Sequence, residues 1–195
     1  CEQDCSGTWG GLAIDEDNDG ICDELQGTVT DIDGNIYKTV MVGDQNWMAE
    51  NLRVTKFNNG DEIPTGYSND EWVNLYQGAY SVYNDDSSNS DIYGNLYNWW
   101  AANDDRGVCP EGWKIPSQSD WTNLIEYLGG QNVAGGKLKE QGLNHWSAPN
   151  EGASNESGFS ALPAGWRHSN SGLEYEYINE LAAFWNAESI GDLAA

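Results

Sequence analysis

Residues 109–130 read CPEGWKIPSQSDWTNLIEYLGG, and this stretch decides the fold. Ser117 follows a proline and is suited to cap a helix, because its hydroxyl can accept a hydrogen bond from a free backbone N–H of the first turn. Asp120 stands three residues later, where an acidic side chain completes a capping box and faces the positive end of the helix dipole. These residues predict that a helix begins at about residue 118.

The same stretch predicts the buried face of the helix and its end. Apolar side chains recur at helical spacing, at Trp121, Leu124, Ile125 and Leu128. Gly129 and Gly130 follow, and glycine readily adopts the left-handed conformation that ends a helix. We therefore predict a helix over about 118–128. It should pack on a sheet, because most of the remaining chain has the pattern of short strands and loops.

The preceding stretches predict short elements. Residues 27–43 have the pattern of two strands around an Asp-Gly-Asn turn, and residues 45–53 that of a further extended segment in which Trp47 and Met48 are buried. Residues 61–92 are predicted to be mostly irregular. Within 93–102 a short helix is expected, because Leu96, Tyr97 and Trp100 would share one face.

After the predicted helix, residues 135–140 have the pattern of a short segment bounded by loops, and residues 157–167 that of a strand. Residues 175–186 form the last apolar stretch.

Composition limits the function. A chain of 195 residues is long enough for one domain with a sizeable core. Its formal net charge of −24 argues against binding to nucleic acid or to an anionic membrane surface. The sequence contains 10 Trp and 10 Tyr but only 3 Phe, so a core built from these rings must supply partners for their N–H and O–H groups. No run of residues has the length and apolarity of a transmembrane segment.

Residues 1–26 are predicted to be a separate Cys- and Asp-rich segment that holds Ca²⁺. Asp15, Asp17, Asp19 and Asp23 occupy loop positions one, three, five and nine, and Gly20 permits a sharp turn at position six. Gln26 replaces the final bidentate glutamate of an EF-hand, so the loop is more similar to the Asp-rich loops of thrombospondin type 3 repeats. The alternative is a solvated acidic turn, in which the carboxylates would repel one another.

Four cysteines, Cys1, Cys5, Cys22 and Cys109, are candidates for disulfide bonds in an oxidising compartment. None forms a C-x-x-C pair, and Cys5 with Cys22 is one possible bond. A lipid on Cys1 is a further hypothesis, as in a bacterial lipoprotein. An arbitrary start of the sequence explains Cys1 equally well.

Several motifs resemble, in order, the Fibrobacter succinogenes major paralogous domain, a bacterial extracellular module. They are DIDGNIYKTVMVGDQNWMAENLRVTKFNNGDEIP, YGNLYNWWAA, CPEGWKIPSQSDWTNLIEYLGG, GGKLKE and NESGFSALPAGWR, within about residues 30–188. The resemblance implies a C-type lectin-like α+β fold, related to the formylglycine-generating enzyme, with short strands, two helices and long ordered loops. It assigns residues 27–195 to one domain. It also implies that further C-terminal strands are lacking here, including one with a cysteine that would pair with Cys109.

The sequence favours a non-enzymatic module of the bacterial cell surface, for adhesion or for assembly into a filament. Its expected partners are copies of itself or other surface proteins, bound through a sheet edge. A Ca²⁺-assisted glycan-binding domain is the alternative, although Ala148-Pro149-Asn150 lacks the acid or amide that precedes proline in the sugar-binding tripeptides of C-type lectins. Catalysis ranks last, because His145 and His168 lie in no nucleophile or metal motif and are expected in surface loops.

Overall fold

The computed structural model describes residues 26–168 and 174–188, and these residues form three small antiparallel sheets and five α-helices. The strands are β1 (Gln26–Thr30), β2 (Ile36–Val42), β3 (Gln45–Met48), β4 (Tyr80–Ser81), β5 (Leu96–Tyr97), β6 (Ala164–Arg167) and β7 (Tyr175–Ile178). The helices are α1 (Asn69–Trp72), α2 (Ser88–Tyr93), α3 (Trp99–Ala102), α4 (Gln118–Tyr127) and α5 (Gln131–Leu138). A 3-10 turn covers Tyr83–Asp85. The predicted α+β class is confirmed.

The largest sheet has the order β1-β2-β3, and the two strands predicted within 27–43 are confirmed. Asp31 fixes the turn between them. One carboxylate oxygen accepts hydrogen bonds from the backbone N–H groups of Asp33 and Asn35, both at 2.9 Å. The other accepts from the Asn35 amide at 2.9 Å and from the Tyr37 hydroxyl at 2.6 Å. These bonds replace the water that a buried carboxylate loses.

Helix α4 confirms the prediction made from residues 109–130. The Ser117 hydroxyl accepts a hydrogen bond from the Asp120 N–H at 3.2 Å, and the Asp120 carboxylate accepts one from the Ser117 N–H at 2.8 Å. Leu124 and Leu128 are buried, and the helix ends before two glycines with φ of 99° and 96°. The helix packs against the β-sheet and α5 in one core cluster, whose buried members are Val40, Val42, Trp47, Leu124, Leu128, Ala134, Phe159 and Ala161.

The expectation of two helices is wrong, because the described residues contain five. Single-turn helices are too short to show a hydrophobic period, and local caps define them instead. Ser68 caps α1 through a capping box with Glu71, within a region that was expected to be irregular. Asn98 caps α3 by accepting a hydrogen bond from the Ala101 N–H at 2.9 Å.

The helix predicted over 93–102 is wrong in its first part. Leu96 and Tyr97 form β5, which pairs with β4, and the helix begins only at Trp99. Of the short segment predicted at 135–140, whose type the sequence leaves open, residues 135–138 belong to helix α5. Its two glycines, at 135 and 136, obscure the helical pattern, since glycine disfavours a helix interior.

Hairpin β6–β7 is joined to α1 through Arg167. The Arg167 side chain is only 1% exposed, and its Nη2 donates to the Tyr67 carbonyl at 2.7 Å. The guanidinium stacks on Trp72 of α1 at 4.5 Å and on Tyr175 of β7 at 5.1 Å. These contacts bring two short elements that are distant in the chain into one packed unit.

Candidate functional site

A cavity of about 580 Å³ lies beside β3. All four residues of β3, Gln45–Met48, line it. Adjacent side chains of a strand point to opposite faces of the sheet, so a cavity that touches four consecutive residues follows the edge of the strand rather than one face. The cavity is also lined by Leu96 and Tyr97 of β5 and by the loop residues 112–116 that lead into α4.

Aromatic rings form much of the cavity wall. Trp47 lies 4.9 Å from Trp121 and 5.8 Å from Phe159, measured between ring centroids. Phe184 continues the cluster at 5.7 Å from Trp121 and 5.4 Å from Phe159. Phe184 and Trp185 remain 43% and 41% exposed. The cavity therefore exposes aromatic rings to solvent, and these rings can bury apolar or planar groups of a partner.

The indole N–H of Trp47 has no acceptor among the described residues, although Trp47 is only 7% exposed. The indole N–H groups of Trp121 and Trp185, on the same wall, both have acceptors. Trp121 donates to the Trp185 carbonyl at 3.3 Å, and Trp185 donates to the Tyr97 carbonyl at 2.9 Å. A buried donor without a partner is costly, so the Trp47 N–H marks a position where a bound group with an acceptor would be favoured.

The polar groups on the cavity wall are mostly engaged with the protein itself. The Gln45 amide donates to the Asp120 carbonyl at 3.2 Å, and the Asn51 amide donates to the Tyr93 carbonyl at 2.8 Å. Lys114 forms an ion pair of 2.7 Å with the Asp120 carboxylate. Together with the Ser117 hydrogen bonds, this pair lowers the pKa of Asp120 to about 2, so its carboxylate is ionised at neutral pH.

The family model described as Fibrobacter succinogenes major domain matches residues 40–195. The chain belongs to this family. The match includes every segment that lines the cavity, which confirms the resemblance seen in the sequence motifs. No curated protein and no solved structure matches this chain.

In this Fibrobacter succinogenes major domain, Cys109 is a wall residue of the cavity and is not disulfide-bonded within the part of the chain that the structure describes. Burial raises the pKa of its thiol to about 11. A protonated thiol is a poor nucleophile, so Cys109 lacks the activation expected of a catalytic cysteine. The other disulfide candidates, Cys1, Cys5 and Cys22, lie outside the described residues.

The histidines are partly buried in carboxylate pairs and are not part of the cavity wall. His145 Nδ1 lies 2.9 Å from Glu140 Oε1, and the His145 ring meets Tyr93 edge-on at 5.8 Å. His168 Nε2 lies 2.7 Å from Glu176 Oε2. Neither histidine lines the cavity.

The calcium ligands predicted from the sequence, Asp15, Asp17, Asp19 and Asp23, all lie outside the described residues. Within 26–168 and 174–188, no group of three or more His, Cys, Asp or Glu side chains is arranged to hold a metal ion. No helix in these ranges has the length and apolarity to span a membrane.

The sequence predicts some residues of the cavity wall but not the cavity itself. Trp47 is buried as predicted, whereas Met48 is only partly buried. The walls come from segments near residues 47, 96, 115, 159 and 184, which only the tertiary structure brings together. The available signal was the abundance of tryptophan in an otherwise polar chain, which suggests aromatic surfaces but not their location.

Proposed function

We propose that this chain is a non-enzymatic module of the bacterial cell surface that serves adhesion or assembly. The observation that carries the proposal is the aromatic cavity beside β3. Its proposed occupant is a polypeptide segment of a neighbouring surface protein. Partly exposed aromatic rings around a buried donor resemble the centre of a protein interface, where such side chains contribute most of the binding energy. A net charge of −24 suits a soluble surface domain that is not directed to nucleic acid.

Two ionisable groups of the cavity, Asp120 and Cys109, are poorly suited to acid–base catalysis. A general acid or base works best with a pKa near the working pH. Asp120 has a pKa of about 2 and the Cys109 thiol a pKa of about 11, so neither exchanges protons readily near neutral pH. At neutral pH the Asp120 carboxylate stays ionised and the Cys109 thiol stays protonated, as suits a surface that binds a partner without exchanging protons.

Light scattering of the full chain over a concentration series tests the assembly function. We expect the mass to rise above the 21.5 kDa of one chain. Trp185→Ala, at the cavity, should prevent this rise. Trp166→Ala is the matched control, because Trp166 is 39% exposed against 41% for Trp185 and does not line the cavity. A monomer at all concentrations, with Ca²⁺ present, would contradict assembly.

Glycan binding is the second candidate function, and the exposure of Phe184 and Trp185 favours it. Aromatic faces of this kind stack on sugar rings, and the Trp47 N–H is suited to donate to a sugar hydroxyl. A glycan array with the wild type, Trp185→Ala and Trp166→Ala tests this function under saturating Ca²⁺. Binding that only Trp185→Ala abolishes would support it, and an array without hits would contradict it.

The Ca²⁺ site in residues 1–26 is a separate part of the proposal. Isothermal titration calorimetry of the full chain with CaCl₂ should give a binding heat that Asp17→Asn together with Asp19→Asn removes. Asp91→Asn is the control, since Asp91 is an exposed acid of α2. Equal heats for all three proteins, or no heat at all, would leave the solvated acidic turn as the correct interpretation.

A further inference from the structure

We propose that the open edge of β3 accepts an extended strand from its partner, and that apolar side chains of this strand enter the aromatic cavity. The inference rests on the proposed function and specifies how the cavity holds a polypeptide. Strand addition supplies affinity through main-chain hydrogen bonds and specificity through pockets for alternate side chains.

The pairing register shows which backbone groups of β3 are available. The Ala49 N–H donates to the Lys38 carbonyl at 2.8 Å, so the position Lys38–Ala49 is a hydrogen-bonded one. Hydrogen-bonded and non-hydrogen-bonded positions alternate in an antiparallel pair. Thr39 lies opposite Met48, and Met41 lies opposite Asn46. Met48 and Asn46 of β3 therefore occupy non-hydrogen-bonded positions. Their N–H and C=O groups therefore point away from β2.

This outer side of β3 has no strand partner among the described residues, where the sheet order is β1-β2-β3. The backbone groups of Asn46 and Met48 make no hydrogen bond to a described residue on that side. They present two donors and two acceptors at the spacing of a β-ladder, directly beside the cavity. An incoming strand would satisfy them.

The cavity supplies the side-chain pocket that strand addition requires. Every second residue of an added strand points to one face of the sheet, where the rings of Trp47, Trp121 and Phe184 are available. The unpartnered Trp47 N–H provides a donor for a carbonyl or hydroxyl of the strand.

Charge restricts the partner. The cavity wall includes the carboxylates of Glu50 and Asp120, and its Lys114 is already paired with Asp120. The whole chain carries a net charge of −24. Because like charges at an interface are repelled, the bound strand should lack acidic residues and should have apolar residues at alternate positions with Lys or Arg at its ends.

The test uses a capped peptide of alternating valine and threonine with a lysine at each end, added to the full chain. Amide hydrogen exchange, resolved by residue with NMR, should slow at least about tenfold at Asn46 and Met48 when the peptide saturates the protein. The Trp47 amide should change much less, because it already pairs with β2. A peptide N-methylated at its central residues keeps the side chains but loses the donors, and it should not bind.

Variants of Asn46 provide the matched control. Asn46→Pro removes the outward donor at an edge position that proline tolerates, whereas Asn46→Ala retains the N–H. We expect peptide affinity to fall at least about tenfold in Asn46→Pro only, with thermal unfolding confirming that both variants fold. Equal binding of the N-methylated peptide would overturn strand addition but leave cavity binding intact. Absence of peptide binding would overturn strand addition, and absence of self-association as well would overturn the assembly function.

Discussion

Asp31 shows how a single residue determines local structure in this chain. It is 7% exposed and accepts four hydrogen bonds from the turn between β1 and β2 and from Tyr37. Tyr37 is fully buried, and its hydroxyl also accepts a hydrogen bond from the Arg53 N–H at 3.1 Å. The carboxylate thus links the hairpin to the segment that follows β3.

Asp31→Asn should lower the free energy of unfolding by about 1–3 kcal/mol, because an amide cannot accept from every donor around this position. Urea denaturation measures the change. Asp91→Asn, at an exposed acid, should stay within about 0.5 kcal/mol of the wild type. Equal stability of the two variants would show that the Asp31 network contributes little.

The Asp-Gly-Asn turn was predictable from local sequence, but the burial of Asp31 was not. The Asp31 contact with Tyr37 depends on a strand forming six residues later and on its register with β1. The Trp47 side chain illustrates the same limit. Its burial follows from its apolarity, whereas its missing hydrogen-bond acceptor follows from how distant segments pack.

Two adjacent glycines of helix α5 differ in the space around them. A Cβ added at Gly135 would meet no atom within 4 Å, while one added at Gly136 would clash with the Gly152 carbonyl oxygen. Gly135→Ala should therefore stabilise the protein by up to about 1 kcal/mol, since alanine is the better helix former.

Gly136→Ala should destabilise it by about 1–3 kcal/mol, because the Gly152 backbone must move. Thermal unfolding of the two variants measures both effects. A change of stability in the same direction for both variants would contradict the close packing of α5 against Gly152.

The capping residue Asp120 of helix α4 makes the stability of the protein depend on pH. The folded pKa of Asp120 is about 2, below its usual 3.8, because of the Lys114 ion pair and the Ser117 hydrogen bonds. The ionised Asp120 carboxylate therefore makes its full contribution to folding stability above about pH 4. This contribution is lost as the pH falls through about 2.

Asp120→Asn should be less stable than the wild type by about 1 kcal/mol at pH 7, and the difference should shrink between pH 4 and pH 2. Urea denaturation across this pH range gives the comparison. Glu126→Gln, on the exposed face of the same helix, should show no such trend. A difference that does not depend on pH would contradict the assigned role of Asp120.

Helix α4 was the most predictable element because its cap, apolar face and end are all encoded within 109–130. Helix α1 was not predicted, since one turn is too short to establish a period, and α3 was predicted only as part of a longer helix within 93–102. Strand β5 was not predicted either, because its two residues become a strand only through pairing with β4. Elements that depend on a distant partner are those that sequence periodicity cannot reveal.

In the molecule as a whole, the cavity beside β3 is the proposed binding site. Short strands and loops from five parts of the chain build it, which explains why the motifs identified the family but not the site. The high negative charge adds a condition, because copies of the chain repel one another except where apolar contacts and backbone pairing outweigh the repulsion.

Residue-resolved hydrogen exchange of the unmodified full chain at increasing protein concentration shows whether the edge of β3 beside the cavity is the binding surface. If a strand of a neighbouring copy that lacks acidic residues binds at this edge, the amides of Asn46 and Met48 should exchange more slowly as the chain associates. Amides at the exposed end of α4, such as that of Tyr127, should keep their rates. Association measured by light scattering without any slowing at Asn46 and Met48 would show that the chain assembles through another surface.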